Sequence, residues 1–130
     1  GTAVYATTFE LPRTMDGRPL CLRLGKVRDL AHVRLNGSQV GTLWLAPWSI
    51  DVTEAVKPGS NVLEVEVVNS WNNRLVGDYR LSPEQRRTFL AVDTLSRNAP
   101  LLPAGLLGPV MLEAAETVRL RETASDRHVD

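Results

Sequence analysis

A short block of polar and aromatic residues follows the most strand-like run of this sequence. The run is Val62–Val68, and the block after it contains Asn69, Trp71, Asn72, Asn73, Arg74 and Asp78. A pyranose ring has an apolar C–H face, on which an indole can stack, and a rim of hydroxyl groups, which amide, guanidinium and carboxylate groups can bond. The same amides and carboxylate also bond readily to nearby main-chain atoms. The block therefore indicates either a carbohydrate-binding site or a loop tied to its own backbone.

Catalysis by this chain alone is not expected. Hydrolysis of a glycosidic bond requires two carboxyl groups roughly 5–10 Å apart, and nothing in the sequence pairs Asp78 with Asp93 or Glu84. Asp78 is as well suited to a salt bridge with Arg74. No serine lies in the pattern of a nucleophile elbow. We therefore predict no catalytic residue.

No metal or cofactor site is predicted either. The two histidines, His32 and His128, and the single cysteine, Cys21, are too scattered to form a zinc site. The sequence also lacks the aspartate-rich loop that would favour calcium. Cys21 alternates with Leu20 and Leu22, which predicts an unreactive thiol on the less buried face of a strand.

The charge balance excludes two classes of partner. Fifteen basic residues offset fifteen acidic ones, so neither nucleic acid nor an anionic membrane is expected to bind through net charge. No apolar run is long enough to cross a bilayer, and the amino-terminal residues lack the pattern of a signal peptide. The 130 residues are enough for one domain with its own core.

Apolar residues alternate along most of the chain, which is typical of strands buried on one face. Asn36-Gly37 and Lys57–Ser60 are turn sequences, and Asp51–Glu54 resembles a capping box. The pattern predicts an all-β antiparallel sandwich of the jelly-roll type over residues 1–121, followed by a polar tail, 122–130. Its eight strands are expected near Val4–Leu11, Leu20–Leu24, Ala31–Leu35, Gln39–Leu45, Ser49–Val52, Val62–Val68, Pro109–Ala114 and Val118–Arg121.

One long insertion, about 71–108, interrupts this pattern without a clear strand. Ser82-Pro-Glu-Gln85 has the residues of a helix start, which predicts a helix from Pro83 to about Leu90 or Leu95. The segment Asn98–Pro109 is apolar but rich in proline and glycine. We expect it to form an irregular arm that packs on the sandwich or on a neighbouring domain.

Several blocks resemble a known family. Leu30–Gly37, Val40–Trp44, Pro47–Thr53 and Lys57–Val65 are similar to the sugar-binding β-sandwich domain of glycoside hydrolase family 2, which has a galactose-binding-like fold. Two later blocks, Asn73–Asp78 and Leu102–Val110, resemble the carboxy-terminal sandwich domain of large bacterial α-L-rhamnosidases of family 106. The similarity covers roughly residues 3–114, with the blocks in the same order.

The resemblance implies a non-catalytic carbohydrate-binding or accessory domain of an enzyme that degrades plant or microbial polysaccharide. Its partners would be carbohydrate and the parent enzyme's catalytic domain, a separate (β/α)₈ barrel. An extracellular or periplasmic location is favoured. The alternative is a purely structural domain that packs on the catalytic domain and binds no sugar independently.

The other two tryptophans, Trp44 and Trp48, could equally contact a sugar or pack within the fold. Members of the resembling group tend to have serine where this chain has Ala104, and an aromatic residue near Thr94–Leu95. A sugar contact by the arm would be weaker here. The block around Trp71 is therefore the predicted site, with stacking by Trp71, hydrogen bonds from the asparagines and Arg74, and an accepting carboxylate on Asp78.

Overall fold

The computed structural model describes residues 1–89, 95–96, 98–116 and 118. Nine strands, one α-helix and two 3₁₀ turns (Arg13–Met15 and Pro83–Gln85) are found in these residues. The helix, α1, is Asn72–Tyr79, and the strands are β1 (Thr2–Leu11), β2 (Leu20–Arg23), β3 (Lys26–Arg28), β4 (Leu30–Leu35), β5 (Ser38–Leu43), β6 (Ser49–Asp51), β7 (Gly59–Val68), β8 (Gly105–Gly108) and β9 (Met111–Ala114).

The strands form three antiparallel sheets. The largest has the order β1-β7-β4-β5, the second β6-β2-β9, and the third pairs β3 with β8. Side chains from the first two sheets meet in a single core, in which Val33 and Val65 of one sheet join Leu20 and Leu22 of the other. The predicted all-β antiparallel sandwich is confirmed.

Alternation along the strands decides which side chains form this core. In β7, Leu63, Val65 and Val67 are buried, whereas Glu64 and Glu66 lie on the opposite face. Cys21 is half-buried between the buried leucines Leu20 and Leu22, as the period of two predicts.

Two turns have the backbone that their residues favour. Asn36 and Gly37, which join β4 to β5, both have positive φ, 53° and 83°, as a two-residue hairpin turn requires. Gly59 at the start of β7 has φ 79°, which fits the left-handed position of a type II turn.

The predicted capping box begins with a real side-chain bond. The Asp51 carboxylate accepts a hydrogen bond from the Thr53 N–H at 2.8 Å. One helical turn follows, closed by the bond from the Val56 N–H to the Val52 carbonyl.

The predictions for the insertion were partly wrong. The helix expected from Pro83 is only the 3₁₀ turn Pro83–Gln85, because Arg86 already has extended backbone angles, φ −73° and ψ 139°. The Ser82 hydroxyl bonds the side chains of Glu84 and Gln85, and no capping bond to a backbone N–H forms. The observed helix, α1, begins eleven residues earlier, at Asn72.

The expected arm is also more regular than its composition suggests. Its last part is strand β8, in which Leu106 lies opposite Val27 and Gly105 lies opposite Arg28. Gly105 has φ 96°, and a Cβ there would lie 2.5 Å from the Tyr5 hydroxyl oxygen, so only glycine fits this start of β8. The predicted strand Val118–Arg121 and the tail 122–130 lie outside the described residues, apart from Val118.

Candidate functional site

The helix α1 carries most of the predicted site residues. Trp71 precedes it, and the Trp71 carbonyl accepts the first helical hydrogen bond, from the Leu75 N–H at 2.9 Å. Val76 is fully buried and Leu75 is half-buried, so one side of the helix packs on the protein. Asn72 and Asn73 are weak helix formers and Arg74 is a good one, so intrinsic propensity is nearly neutral here and this packing decides the outcome.

Asn73 fastens the arm to α1. Its Nδ2 donates to the Leu102 carbonyl at 2.7 Å, and its Oδ1 accepts from the Leu102 N–H at 2.8 Å. The side-chain amide thus pairs with a backbone amide as a neighbouring strand would. Both polar atoms of Asn73 are engaged within the fold.

Asn69 and Asp29 make two further bonds at the same junction. Asn69 Oδ1 accepts from the Gly105 N–H at 2.8 Å, and Asp29 Oδ2 accepts from the Ser70 N–H at 2.8 Å. The end of β7, the residue after β3 and the start of β8 are therefore joined through side chains. No local sequence pattern marks Asp29 as part of this junction, because its partner Ser70 is distant in the chain.

Asp78 is buried and fully engaged. Its Oδ2 accepts from the Thr88 hydroxyl at 2.8 Å and from the Arg87 N–H at 3.1 Å, and its Oδ1 lies 3.4 Å from Nη2 of Arg74. The Thr88 hydroxyl is the main cause that holds the pKa of Asp78 below its ordinary value, with smaller contributions from the Arg87 N–H and the Arg74 charge, while burial acts in the opposite direction. The salt bridge to Arg74 that the sequence allowed is present.

Trp71, in contrast, is open to solvent, with 70% of its surface exposed. The Arg74 side chain is about half exposed at 47%, despite its contact with Asp78. Asn72 makes only a long hydrogen bond, 3.5 Å, to Asn73 Oδ1. Trp71, Asn72 and Arg74 therefore retain surface with which to meet a ligand.

The other tryptophans differ from each other. Trp44 is 73% exposed, next to the equally open Leu45. Trp48 is partly buried and packs against the core. Trp44 thus has the exposure of Trp71 but lacks its setting of arginine and asparagines.

A small hollow of about 90 Å³ lies where the junction meets the arm. Such a volume holds about three water molecules and is well below the 300 Å³ or more of a typical ligand pocket, so it could admit only one edge of a sugar. Both Arg28 and Ala104 are among the residues that line it. The lining residues are Arg28, Asp29, Asn69, Ser70, Asn73, Leu102, Pro103 and Ala104.

A larger hollow, about 530 Å³, lies beside Asp78. It is lined in part by Arg86, whose guanidinium stacks over the Tyr79 ring at 4.6 Å, and by Phe89. Phe89 is the last described residue before position 95, so the described residues do not define the whole wall of this hollow. We assign it no ligand.

In the part of the chain that the structure describes, no group of three or more histidine, cysteine, aspartate or glutamate residues could hold a metal ion. None of the described helices has the length and apolarity needed to cross a membrane. Asp93 and Thr94, considered in the sequence analysis, lie outside the described residues.

Comparison with known proteins gives a consistent result. Residues 2–97 match the family model described as "Glycosyl hydrolase 2 galactose-binding domain-like". A protein of Formosa agariphila, provisionally assigned as a beta-glucuronidase, is 40% identical over 86% of this chain and 12% of its own length.

Solved structures agree. The rhamnosidase from Novosphingobium sp. PP1Y matches with a TM-score of 0.76 and 46% identity, over 86% of this chain and 11% of its own. The Lactobacillus rhamnosus beta-glucuronidase matches with a TM-score of 0.50 and 32% identity, over 54% of this chain and 12% of its own. The chain thus spans only about a tenth of the length of these relatives. The resemblance inferred from the sequence is confirmed: the chain belongs to the glycosyl hydrolase 2 galactose-binding domain-like family.

Proposed function

We propose that this chain is a non-catalytic accessory domain of a rhamnosidase-like glycoside hydrolase, and that it contacts carbohydrate through the surface around Trp71. The observation that carries the proposal is an indole that is 70% exposed on a rigid frame. Large exposed aromatic side chains are costly to leave in water, and a flat one suits the C–H face of a pyranose.

The frame around Trp71 supports this role because it is fixed before any ligand arrives. Asn69, Asn73 and Asp78 are bonded to Gly105, Leu102 and Thr88. A site whose supporting groups are already ordered loses less entropy on binding. In this proposal Asn73 and Asp78 contribute chiefly by holding α1, and Asn69 by lining the small hollow.

Direct contacts with the sugar would come from side chains that are exposed or have unused hydrogen-bonding capacity. Trp71 would stack on a sugar face, while Arg74 and Asn72 would bond hydroxyl groups next to it. Arg28, which lines the small hollow, would bond a further hydroxyl. The parent enzyme's substrate would be plant or microbial polysaccharide, as the family resemblance of the sequence implies.

The test is titration of the 130-residue chain with rhamnose- and galactose-containing oligosaccharides, followed by calorimetry or by NMR shifts. We expect Trp71→Ala to abolish binding while leaving the melting temperature nearly unchanged. Trp44→Ala is the matched control, since Trp44 is equally exposed at 73%. Equal loss in both variants, or silence of the unmodified chain across the whole panel, would contradict the sugar-binding proposal.

A second candidate function rests on a different observation. Leu101, Leu102 and Leu107 are each about half exposed, at 55%, 51% and 49%, and exposed leucines of this kind favour an interface. The domain would then pack against the catalytic domain of a longer enzyme without independent sugar binding. This alternative would be favoured if the chain binds no saccharide of the panel and if replacing these leucines by serine makes it more soluble.

Absence of catalysis is part of the proposal and has its own test. Asp78, the acidic residue of the predicted block, is already bonded to three groups within the fold. We expect no hydrolysis of aryl rhamnosides or aryl glucuronides by the isolated chain. Hydrolysis that disappears in Asp78→Asn would overturn this part.

A further inference from the structure

Among the strands that the structure describes, β1 lies at the edge of the largest sheet and pairs with β7 alone. All ten of its residues, Thr2–Leu11, face β7 in an unbroken antiparallel register. The Asn69 N–H donates to the Gly1 carbonyl at 2.9 Å, which identifies the odd-numbered residues as those bonded to β7, because bonded and non-bonded pairs alternate. The N–H and C=O groups of the even-numbered residues therefore point to the other side.

Nothing in the described part of the chain pairs with that other side. The outward groups belong to Thr2, Val4, Ala6, Thr8 and Glu10, and only the Thr8 carbonyl has a further bond, from the Thr7 hydroxyl at 3.4 Å. Free edges are usually protected by lysine, proline, a bulge or short length. This edge is long, has no bulge, lysine or proline, and carries one charge, on Glu10.

The inner face of the same strand is also incompletely covered. Tyr5 is 38% exposed although its odd position turns it toward the core side. Beside it lies an almost wholly apolar hollow of about 90 Å³, lined among others by Leu63, Val65, Leu106 and Val110. A further strand added to β1 would bring side chains over this hollow as well as satisfy the backbone edge.

We propose that β1 is a self-association edge, which pairs antiparallel with β1 of a second copy of this chain to join the two four-stranded sheets into one. The strand is complementary to itself about Ala6. With Ala6 opposite its own copy, Val4 faces Thr8 and Thr2 faces Glu10. This register places outward-bonding residues opposite each other and uses the full strand.

Packing and charge favour this pairing. On the inner face the register sets Tyr5 opposite Thr7 of the second copy, next to the apolar hollow. No two like charges oppose each other, because Glu10 faces a threonine. Glu64 and Glu66 of the two copies are three strand spacings apart, about 14 Å, which exceeds the screening length of about 10 Å at 0.1 M salt.

A second copy is favoured over a different extended segment because the sequence of β1 is complementary to itself in the antiparallel register. A two-fold axis makes any matched pair occur twice, and in this register no pair sets two like charges or two large side chains against each other. A foreign strand would need a sequence that nothing on this molecule specifies. The inference is independent of sugar binding, since β1 does not line the surface around Trp71.

The experiment is sedimentation velocity on the 130-residue chain from about 10 µM to 1 mM. We expect the average mass to rise with concentration from 14.3 kDa toward twice that value. Ala6→Lys would set two lysines opposite each other at the axis and is expected to keep the chain monomeric at every concentration. The matched control is Gln39→Lys, which puts the same charge on β5, the opposite edge strand, and should associate like the unmodified chain.

A second measurement guards against a folding defect in Ala6→Lys. In the unmodified chain, hydrogen exchange at the amides of Val4, Ala6 and Thr8 should slow by tenfold or more between the lowest and highest concentrations, while exposed amides elsewhere stay unchanged. A monomer at all concentrations would overturn the proposal. So would association that Ala6→Lys leaves intact, or concentration-dependent protection located elsewhere than β1.

Discussion

Asparagine side chains fasten the backbone at both ends of β7, and the two ends differ in how completely they do so. At the start of β7, Asn61 is fully buried and joins Asn36, Lys57 and Gly59 in one hydrogen-bonded network. At its end, Asn69 and Asn73 hold the arm beside an open hollow and an exposed Trp71. The two ends lie about 26 Å apart at the usual rise of a strand.

The difference separates a structural junction from a candidate binding surface that uses the same chemistry. At the Asn61 end, donors and acceptors are matched around a side chain that is fully buried, so the network stabilises the fold and offers no group to a ligand. At the Asn69 end, the amides fix the frame while Trp71 and Arg28 stay open at its edge. An asparagine-rich block thus indicates a site only where some of its neighbours remain unpaired.

Asn61→Ala should produce the largest effect. The substitution removes bonds to the Asn36 amide, the Lys57 N–H, and the carbonyls of Lys57 and Gly59, and it leaves buried groups without partners. We expect the free energy of unfolding to fall by about 3 kcal/mol, measured by urea denaturation. Asn61→Asp keeps the acceptor but would point a carboxylate oxygen at the carbonyls of Lys57 and Gly59, so it should be strongly destabilised as well. A loss below about 1 kcal/mol in Asn61→Ala would show that this end is not the stronger junction.

Asp78→Asn should produce an intermediate effect that depends on pH. The folded pKa of Asp78 is lowered, chiefly by the Thr88 hydroxyl, so its contribution to stability is complete above the ordinary aspartate pKa of about 3.9. That contribution is lost as the pH falls through the lower folded pKa. The unmodified chain should therefore lose stability below about pH 4 more steeply than Asp78→Asn, which is already less stable at pH 7.

Urea denaturation at a series of pH values from 7 to 2.5 measures this difference. Asp51→Asn is the control, since the Thr53 N–H lowers the pKa of Asp51 at a site away from α1. It should remove part of the same acid dependence without loosening the contact between α1 and residues 87–88. Parallel pH curves for the unmodified chain and Asp78→Asn would contradict the assigned role of Asp78.

Asn73→Ala should have the smallest global effect, about 1 kcal/mol, because the bonds to Leu102 lie at an exposed junction. Its local effect should be larger, since the arm loses its attachment to α1. Hydrogen exchange at the Leu102 amide is the measurement, and a marked acceleration is expected there and, more weakly, at Gly105. Asn72→Ala is the matched control and should change neither amide.

Most of the sandwich could be predicted from the sequence because its rules are local. The alternation of Leu63, Val65 and Val67 specifies a half-buried strand, and Asn36-Gly37 specifies a tight hairpin. Strands β3 and β8 escaped prediction. Each is only three or four residues long, and their pairing depends on contacts distant in sequence.

The junction at the Asn69 end escaped prediction for the same reason. The asparagines could be chosen from the sequence, but their partners Leu102 and Gly105 lie 29 and 36 residues further along the chain. The helix α1 had a usable signal that was missed, since Arg74 and Asp78 stand four residues apart. Sugar binding by the proposed site residues remains a prediction. These residues are Trp71, Asn69, Asn72, Asn73, Arg74 and Asp78.

The Asn73–Leu102 attachment also bears on how freely this domain can change in length. The two residues close a loop of 29 positions, and the entropy of closing a loop grows only with the logarithm of its size. Ten residues added within this loop would raise that cost by only about 0.3 kcal/mol. Homologues could therefore differ in the length of this loop at little cost in closure entropy, provided that Asn73 and Leu102 keep the two hydrogen bonds that close it.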